Sequence, residues 1–186
     1  GVRLVGSEMC IRDRIGYHPE YWGQKGHYGV AILSKKKPIE VQKGFVKDTV
    51  EDQKRFIQAK FKWGKKIITV MNGYFPQGEN RSHETKFPKK IKYYADLKKH
   101  IKNTQKTEDN LIVMGDFNVA PSQLDIGIGE VNAKRWLKEG KTAFLPEEIE
   151  MWNSIKDLGF IDSWREQNPS EDSISVSYTH LTLPTT

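Results

Sequence analysis

The sequence predicts a mixed α/β fold, and three patterns support this prediction. A short apolar run at residues 111–114 is typical of a β-strand that is covered on both faces. Residues 57–63 alternate apolar and polar side chains, which is the period of a strand with one buried face. Apolar residues recur every three or four positions across residues 87–102, which indicates one face of a helix. Strands and helices are therefore expected in one chain.

Length and composition limit the possible classes of protein. A chain of 186 residues is expected to form one domain, and no apolar run approaches the length that spans a bilayer. Lys and Arg number 30 against 24 acidic residues, and the net charge of +6 favours a polyanionic partner. The single Cys10 cannot form an internal disulfide, so we expect a cytoplasmic protein.

The two ends of the chain differ in character from the middle. Residues 1–14 and residues 175–186 resemble translated sequencing-adapter read-through, so we predict that both are artefactual extensions and exclude them from fold reasoning. Residues 15–174 contain no internal repeat and no low-complexity linker. We therefore expect this middle segment to belong to one domain.

The first half of the middle segment predicts antiparallel strands joined by short turns. Glycine-flanked polar residues lead into the apolar run at residues 30–33, as in a hairpin that enters a core strand. The alternating strand follows, and Gly64 separates it from a β-branched run that begins at Ile67. Pro76 prevents that strand from continuing.

Three helices are predicted in the second half. The first covers residues 87–102, the second residues 131–138, and the third residues 147–158, between Pro146 and Gly159. Six lysines lie outside the apolar stripe of the first helix and are predicted to form its solvated face: Lys89, Lys90, Lys92, Lys98, Lys99 and Lys102.

Polar side chains end two of the predicted strands. Asp116 and Asn118 follow the apolar run of residues 111–114, and Asn72 and Tyr74 end the strand before it. Ligands gather at strand ends in α/β proteins, and carboxylate and amide oxygens suit Mg²⁺. The alternative for Asp116 and Asn118 is an Asx turn, and the alternative for Tyr74 is an aromatic ring packed on the core.

These residue types suit phosphodiester hydrolysis, which needs a positioned water, a base and positive charge near the phosphoryl oxygens. Asp116 can act as a base or a metal ligand. Asn118 can hold the phosphate or a metal-bound water through its amide. Tyr74 can donate its phenolic proton to the phosphate or, if ionised, assist the attack.

Two further motifs have competing interpretations. Lys134, Arg135 and Trp136 combine cations with an aromatic ring, which suits contact with phosphates and grooves, although a helix with one core tryptophan and a solvated basic face would look the same. The stretch from Asp125 to Gly129 hints at a dinucleotide-binding loop. The third glycine of that motif is absent at the required spacing, so this interpretation is weak.

Several motifs occur in a fixed order along the chain: GQKGHYGVAIL, NGYFPQGE, MGDFN, LDIGIGE, KRWL and FLPEE. Together they resemble the bacterial exonuclease III family of the endonuclease/exonuclease/phosphatase superfamily, over roughly residues 15–172. The resemblance implies a two-sheet α/β sandwich of the DNase I-like type. It also implies a monomeric, Mg²⁺-dependent or Mn²⁺-dependent DNA-repair nuclease that acts on double-stranded DNA at 3′ ends and abasic sites.

The resemblance also assigns roles to individual residues. It makes Tyr74 the active-site tyrosine, Asp116 the catalytic aspartate and Asn118 the asparagine that stabilises the transition state, and it implies that the KRWL region lies against DNA. Asp116 and Asn118 are also the expected metal ligands. Other family motifs, including a metal-binding glutamate and an Asp-His pair, have no match here. We therefore expect the chain as given to be incomplete, inactive and unstable, with a non-catalytic basic nucleic-acid-binding module as the alternative.

Overall fold

A computed structural model describes residues 16–26, 28–49, 52–104 and 110–170 of this chain. The predicted extensions at residues 1–14 and 175–186 lie outside these described residues. The chain divides into two compact units. The first comprises the chain up to Tyr74 together with Asn103–Met114, and the second comprises Phe75–Lys102 and the chain from Gly115 onward.

The first unit contains two sheets. Strands β1 (His18–Gly23) and β2 (Gly29–Ser34) form an antiparallel hairpin. The second sheet has four strands in sequence order, namely β3 (Glu40–Lys43), β4 (Phe56–Trp63), β5 (Lys66–Tyr74) and β6 (Leu111–Asp116, whose last two residues belong to the second unit). Strand β4 pairs antiparallel with both β3 and β5. The predicted hairpin and the antiparallel pairing of β4 with β5 are confirmed, whereas β2 belongs to a different sheet from β4 and β5, and β3 was not predicted.

The core of the first unit lies between its two sheets. Val30 and Ile32 of β2 alternate with more exposed residues and pack against the buried Ile57 and Ala59 of β4. This cluster is the apolar layer that the alternating pattern predicts. Strand β4 departs from the prediction of one buried face, because its residues 56–59 are all buried and its last residue, Trp63, is 62% exposed.

Strand β6 is less buried than the sequence predicts. Ile112 is 43% exposed and the other residues of the strand are only partly buried. The prediction of a strand covered on both faces is therefore wrong for the described part of the chain. The physical reason is the position of β6 at the end of the four-strand order, where β5 is its one neighbour among the described strands.

The second unit is built mainly from helices. These are α1 (Lys86–Thr104, whose last two residues belong to the first unit), a 3₁₀ turn (Gln123–Asp125), α2 (Glu130–Glu139), α3 (Pro146–Lys156) and α4 (Ser163–Gln167). The three predicted helices are confirmed to within two residues at each end. Across the described ranges, no helix combines the length and the apolar character that a membrane crossing requires.

Helix α1 carries much of the core of the second unit. Its buried residues include Tyr93, Tyr94 and Leu97, and the ring of Phe75 lies 4.8 Å from Tyr93 and 4.9 Å from Tyr94. Lys90 is buried with them at 0% exposure, so the prediction that this lysine lies on the solvated face is wrong. Its partner Glu148, which belongs to α3, compensates the charge inside the core.

Candidate active site

Asp116 and Asn118 form a tight turn at the end of β6. The backbone N–H of Asn118 donates to Asp116 Oδ1 over 3.1 Å, and Asn118 Nδ2 donates to Asp116 Oδ2 over 3.0 Å. The first of these bonds is an Asx turn. Asn118 adopts a left-handed backbone conformation with φ of 51°, which asparagine tolerates better than most residues. The candidate site and the Asx-turn alternative therefore coincide in the same two residues.

The amide group of Asn118 has a defined orientation. Its Nδ2 donates both to Asp116 Oδ2 and to the carbonyl oxygen of Phe75, the latter over 2.8 Å. Because a carboxylate and a carbonyl can only accept, the two amide protons must face them. The Asn118 side chain consequently offers its Oδ1 to other groups. The backbone of Phe75 makes a second contact with the turn, since its N–H donates to the carbonyl oxygen of Asp116 over 2.8 Å.

Two buried side chains of α1 hold the carbonyl groups of this turn. Lys90 Nζ donates to Asn118 O over 2.7 Å, and Tyr94 Oη donates to Phe117 O over 2.9 Å. Burial lowers the pKa of Lys90, an effect that the Glu148 carboxylate opposes. Burial raises the pKa of Tyr94 well above its ordinary value, and the charge of Glu148 adds to this shift. The Tyr94 phenol therefore remains a proton donor at neutral pH.

Tyr74 lies in the first unit, at the end of β5, against a buried arginine. Its N–H donates to Arg55 O over 2.8 Å, and Arg55 Nη1 donates to Tyr74 O over 3.0 Å. The Arg55 guanidinium lies 4.5 Å from the ring centre of Tyr74 and 4.0 Å from that of Tyr28. The guanidinium between two phenol rings forms cation–π contacts with both. Tyr74 is therefore fixed by its backbone and by its ring.

Lys134, Arg135 and Trp136 of the KRWL motif lie on α2. Lys134 and Arg135 are exposed and pair with glutamates of their own helix, Lys134 with Glu130 over 2.5 Å and Arg135 with Glu139 over 4.0 Å. Trp136 is partly buried and stacks on Phe144, with 6.1 Å between the ring centres. These contacts agree with the alternative of one packed tryptophan beside a solvated basic face.

Sequence reasoning missed the roles of two residues beside Tyr74, namely Tyr28 and Arg55, and of two residues behind the Asp116 turn, namely Lys90 and Glu148. Tyr28 and Glu148 lie within two of the family motifs, but the partners of all four residues are distant in sequence and no local pattern specifies them. Asp125 also has a structural role, because its buried carboxylate accepts from Arg165 Nη2 and from the N–H of Ser122. The dinucleotide-loop interpretation of its motif gains no support from these contacts.

The residues of the turn suit a hard cation in type. Asp116 carries two carboxylate oxygens and Asn118 presents one amide oxygen, and oxygen ligands are what Mg²⁺ and related ions take. Among the described residues, no group of three or more His, Cys, Asp or Glu side chains converges as a complete metal cage would. Mg²⁺ commonly keeps several waters and binds through one or two carboxylates, so a partial protein ligand set is compatible with it.

Comparison with known proteins adds a decisive observation. The profile of the Endonuclease/Exonuclease/phosphatase family matches residues 5–174. The chain belongs to this family. As a member of the Endonuclease/Exonuclease/phosphatase family, it is 49% identical over 160 residues to the exodeoxyribonuclease III of Haemophilus influenzae, a match that covers 86% of this chain and 60% of that protein. The predicted resemblance to bacterial exonuclease III is confirmed.

Solved structures of the family agree with the described fold. An AP endonuclease from Archaeoglobus fulgidus is 32% identical with a TM-score of 0.71, and the match covers 89% of this chain and 62% of that one. A 3′ phosphatase from Neisseria, bound to product DNA hairpin, is 25% identical with a TM-score of 0.75, covering 92% and 72%. The predicted two-sheet α/β class is confirmed. The chain spans less than two thirds of the length of the Haemophilus protein.

Proposed function

We propose that this chain is part of a DNA-repair nuclease that hydrolyses phosphodiester bonds of double-stranded DNA, as a 3′-to-5′ exonuclease and an abasic-site endonuclease. The observation that carries the proposal is the 49% identity to an exodeoxyribonuclease III, in a chain whose strand β6 ends in the rigid Asp116 and Asn118 turn. The net charge of +6 and the related phosphatase bound to product DNA support a DNA partner.

In this proposal, Asp116 acts on the attacking water. Its carboxylate accepts a proton while the water oxygen bonds to phosphorus and the bond to the leaving oxygen breaks. The two hydrogen bonds from Asn118 hold the carboxylate in one orientation, so no reorganisation is needed during the reaction. Tyr74 contributes its phenol to the phosphate, and the Arg55 contacts hold its ring.

Asp116 and Asn118 would hold a divalent metal ion, Mg²⁺ or Mn²⁺, through their side-chain oxygens. Such an ion would stabilise the negative charge that develops on the phosphoryl oxygens. Asn118 Oδ1 is the atom suited to this role, because both amide protons are already donated to Phe75 and Asp116. Lys134, Arg135 and Trp136 are proposed as DNA contacts, which requires the two cations to exchange their glutamate partners for phosphates.

A chimera tests the proposal without depending on where this chain begins and ends. The matching 160 residues of the Haemophilus influenzae exodeoxyribonuclease III are replaced by those of this chain, and Mg²⁺-dependent cleavage of an abasic duplex is measured. We expect cleavage, and we expect EDTA to abolish it. A folded chimera that binds the duplex without cleaving it would favour the alternative of a non-catalytic basic module.

A further inference from the structure

The buried ion pair of Lys90 and Glu148 is a feature that the proposed chemistry does not use. Both side chains are 0% exposed, and they are in direct contact. Moving two charges out of water is costly, and replacement of a buried pair by apolar residues is often neutral or stabilising. The energetics of the pair alone therefore do not account for a charged lysine at this point of α1.

The geometry of Lys90 gives it a second role. An ammonium group has three N–H donors, and all three have acceptors here. They are the Glu148 carboxylate, Asn118 O at 2.7 Å and Gln77 O at 3.2 Å. One side chain thus joins the start of α3, the loop after β5 and the turn after β6. An apolar side chain of the same volume would fill the space but hold none of these three groups.

Glu148 is itself held in place by the backbone. Its Oε2 accepts the N–H of Ala143 over 2.8 Å and the N–H of Leu145 over 2.9 Å, at the start of α3. The other oxygen faces Lys90. The backbone at the start of α3 holds the Glu148 carboxylate, and this carboxylate holds the Lys90 ammonium group. Lys90 is thereby kept in position to donate to Asn118 O.

Asn118 is a residue for which such support matters. Asparagine adopts the left-handed conformation more readily than most residues, but the conformation still costs energy and contacts with the surroundings stabilise it. The backbone N–H of Asn118 donates to Asp116 Oδ1 and its side-chain amide donates to Asp116 Oδ2, so Asn118 orients both oxygens of the carboxylate. A change in the backbone of Asn118 would therefore turn the Asp116 carboxylate as well.

We infer that Lys90, backed by Glu148, is a positioning residue that holds Asn118 in its left-handed conformation and thereby orients the Asp116 carboxylate. The inference rests on the proposed function in taking this turn as the active site. Lys90 acts through Asn118, so its removal disturbs the turn without removing any group that contacts substrate.

Hydrogen exchange in the chimera tests this inference without an activity assay. The double variant K90M/E148Q removes both charges and keeps an oxygen for the N–H groups at the start of α3. NMR then measures exchange of the backbone and side-chain amide protons of Asn118, with the buried Leu97 amide as the reporter of global unfolding. We expect exchange at Asn118 to become about tenfold faster or more, because one charge-assisted hydrogen bond to this residue is lost. The exchange rate of the Leu97 amide should stay within about twofold of its rate in the parent protein.

Two further variants make the result specific. K90M alone leaves the Glu148 charge buried without its partner, so we expect a lower unfolding midpoint that the double variant largely restores. K86M removes an exposed lysine of the same helix that pairs with Glu79, and we expect Asn118 to exchange as in the parent protein.

Three outcomes would overturn the inference. Exchange at Asn118 and at Leu97 could accelerate by the same factor in the double variant, exchange at Asn118 could be unaffected, or Asn118 could be unprotected in the parent protein. Failure of the chimera to cleave DNA would count against the nuclease proposal alone, because exchange does not depend on cleavage.

Discussion

At the scale of single residues, Asp116 has the properties of a preorganised carboxylate. Each of its oxygens accepts one hydrogen bond from Asn118, so its orientation is set before any substrate binds. A carboxylate offers about four lone-pair directions, and these two bonds do not exhaust them. The negative charge, rather than the shape of the side chain, should therefore determine the rate.

We predict that D116N in the chimera lowers kcat on an abasic duplex by about 100-fold or more, because general-base and metal-ligand roles each contribute on that order. Asparagine has the same shape, so the fold and the affinity for DNA should be retained, although its single amide oxygen can accept only one of the two hydrogen bonds from Asn118. The matched control is D157N, which removes an exposed carboxylate at the end of α3 and should leave kcat unchanged. Near-normal turnover of D116N would exclude Asp116 from catalysis.

At the scale of elements, the loop between β5 and α1 explains a glycine of the NGYFPQGE motif. Gly78 has φ of 91°, which side chains rarely adopt. A Cβ atom there would lie 3.0 Å from Thr142 Cγ2 and 3.1 Å from Lys90 Cδ. Glycine is therefore required at position 78 of the motif, because the backbone there packs closely against Lys90, which donates to Asn118 O.

We predict that G78A lowers the free energy of unfolding by about 1 to 3 kcal/mol, from backbone strain and crowding together. The matched control is G159A, at a glycine with φ of 100° and no atom within 4 Å of the added Cβ. G159A introduces backbone strain without crowding, so it should lower the free energy of unfolding by less than G78A does. Urea unfolding of both variants, made in the chimera, measures the difference in the free energy of unfolding, and equal losses would show that crowding at Gly78 is unimportant.

At the scale of the whole molecule, the basic charge determines how the protein meets a polyanion. The net charge is +6, and α1 exposes several of its lysines, including Lys89, Lys99 and Lys102. Lysines of this kind suit contact with phosphates and carry no information about base sequence. Binding of DNA should therefore be dominated by the release of counterions.

We predict that the affinity of the chain for duplex DNA falls steeply as salt rises and depends little on base sequence. Fluorescence anisotropy with two unrelated undamaged duplexes over a range of salt concentrations measures both properties. A log–log plot of affinity against salt with no slope would contradict the prediction, as would a strong preference for one of the two duplexes.

The stability of the molecule should also depend on pH through His100. Burial lowers the pKa of this histidine from its ordinary value of 6.5, so the unfolded chain binds more protons between the folded pKa and 6.5. The free energy of unfolding therefore rises with pH in that window, and the stability is lost as pH falls below 6.5. We predict that H100Q removes this contribution. Urea unfolding of the chimera with and without H100Q, at pH 7 and at about pH 5, measures this contribution. An identical pH dependence of the two proteins would contradict the role given to His100.

Local sequence patterns predict several of the strands, the three longer helices and the residues that end β5 and β6, but they predict neither β3 nor α4. Alternation and helical periodicity are local properties, so these strands and the three longer helices follow from them, as does the position of Asp116 and Asn118. An ordered set of motifs was also enough to identify the family, because it requires no knowledge of contacts. The assignment of roles to Tyr74, Asp116, Asn118 and the KRWL residues stays a prediction.

Which charged residues are buried depends on contacts that the tertiary fold makes. Helical spacing places Lys90 three residues after Phe87 and four before Tyr94, on the inward face of α1, and its charge is compensated there because Glu148, 58 residues further along, meets it inside the core. Arg55 is likewise held by Tyr74, 19 residues away. A buried charge is tolerated only where a partner compensates it, and partners distant in sequence are brought together by the fold rather than by any local pattern.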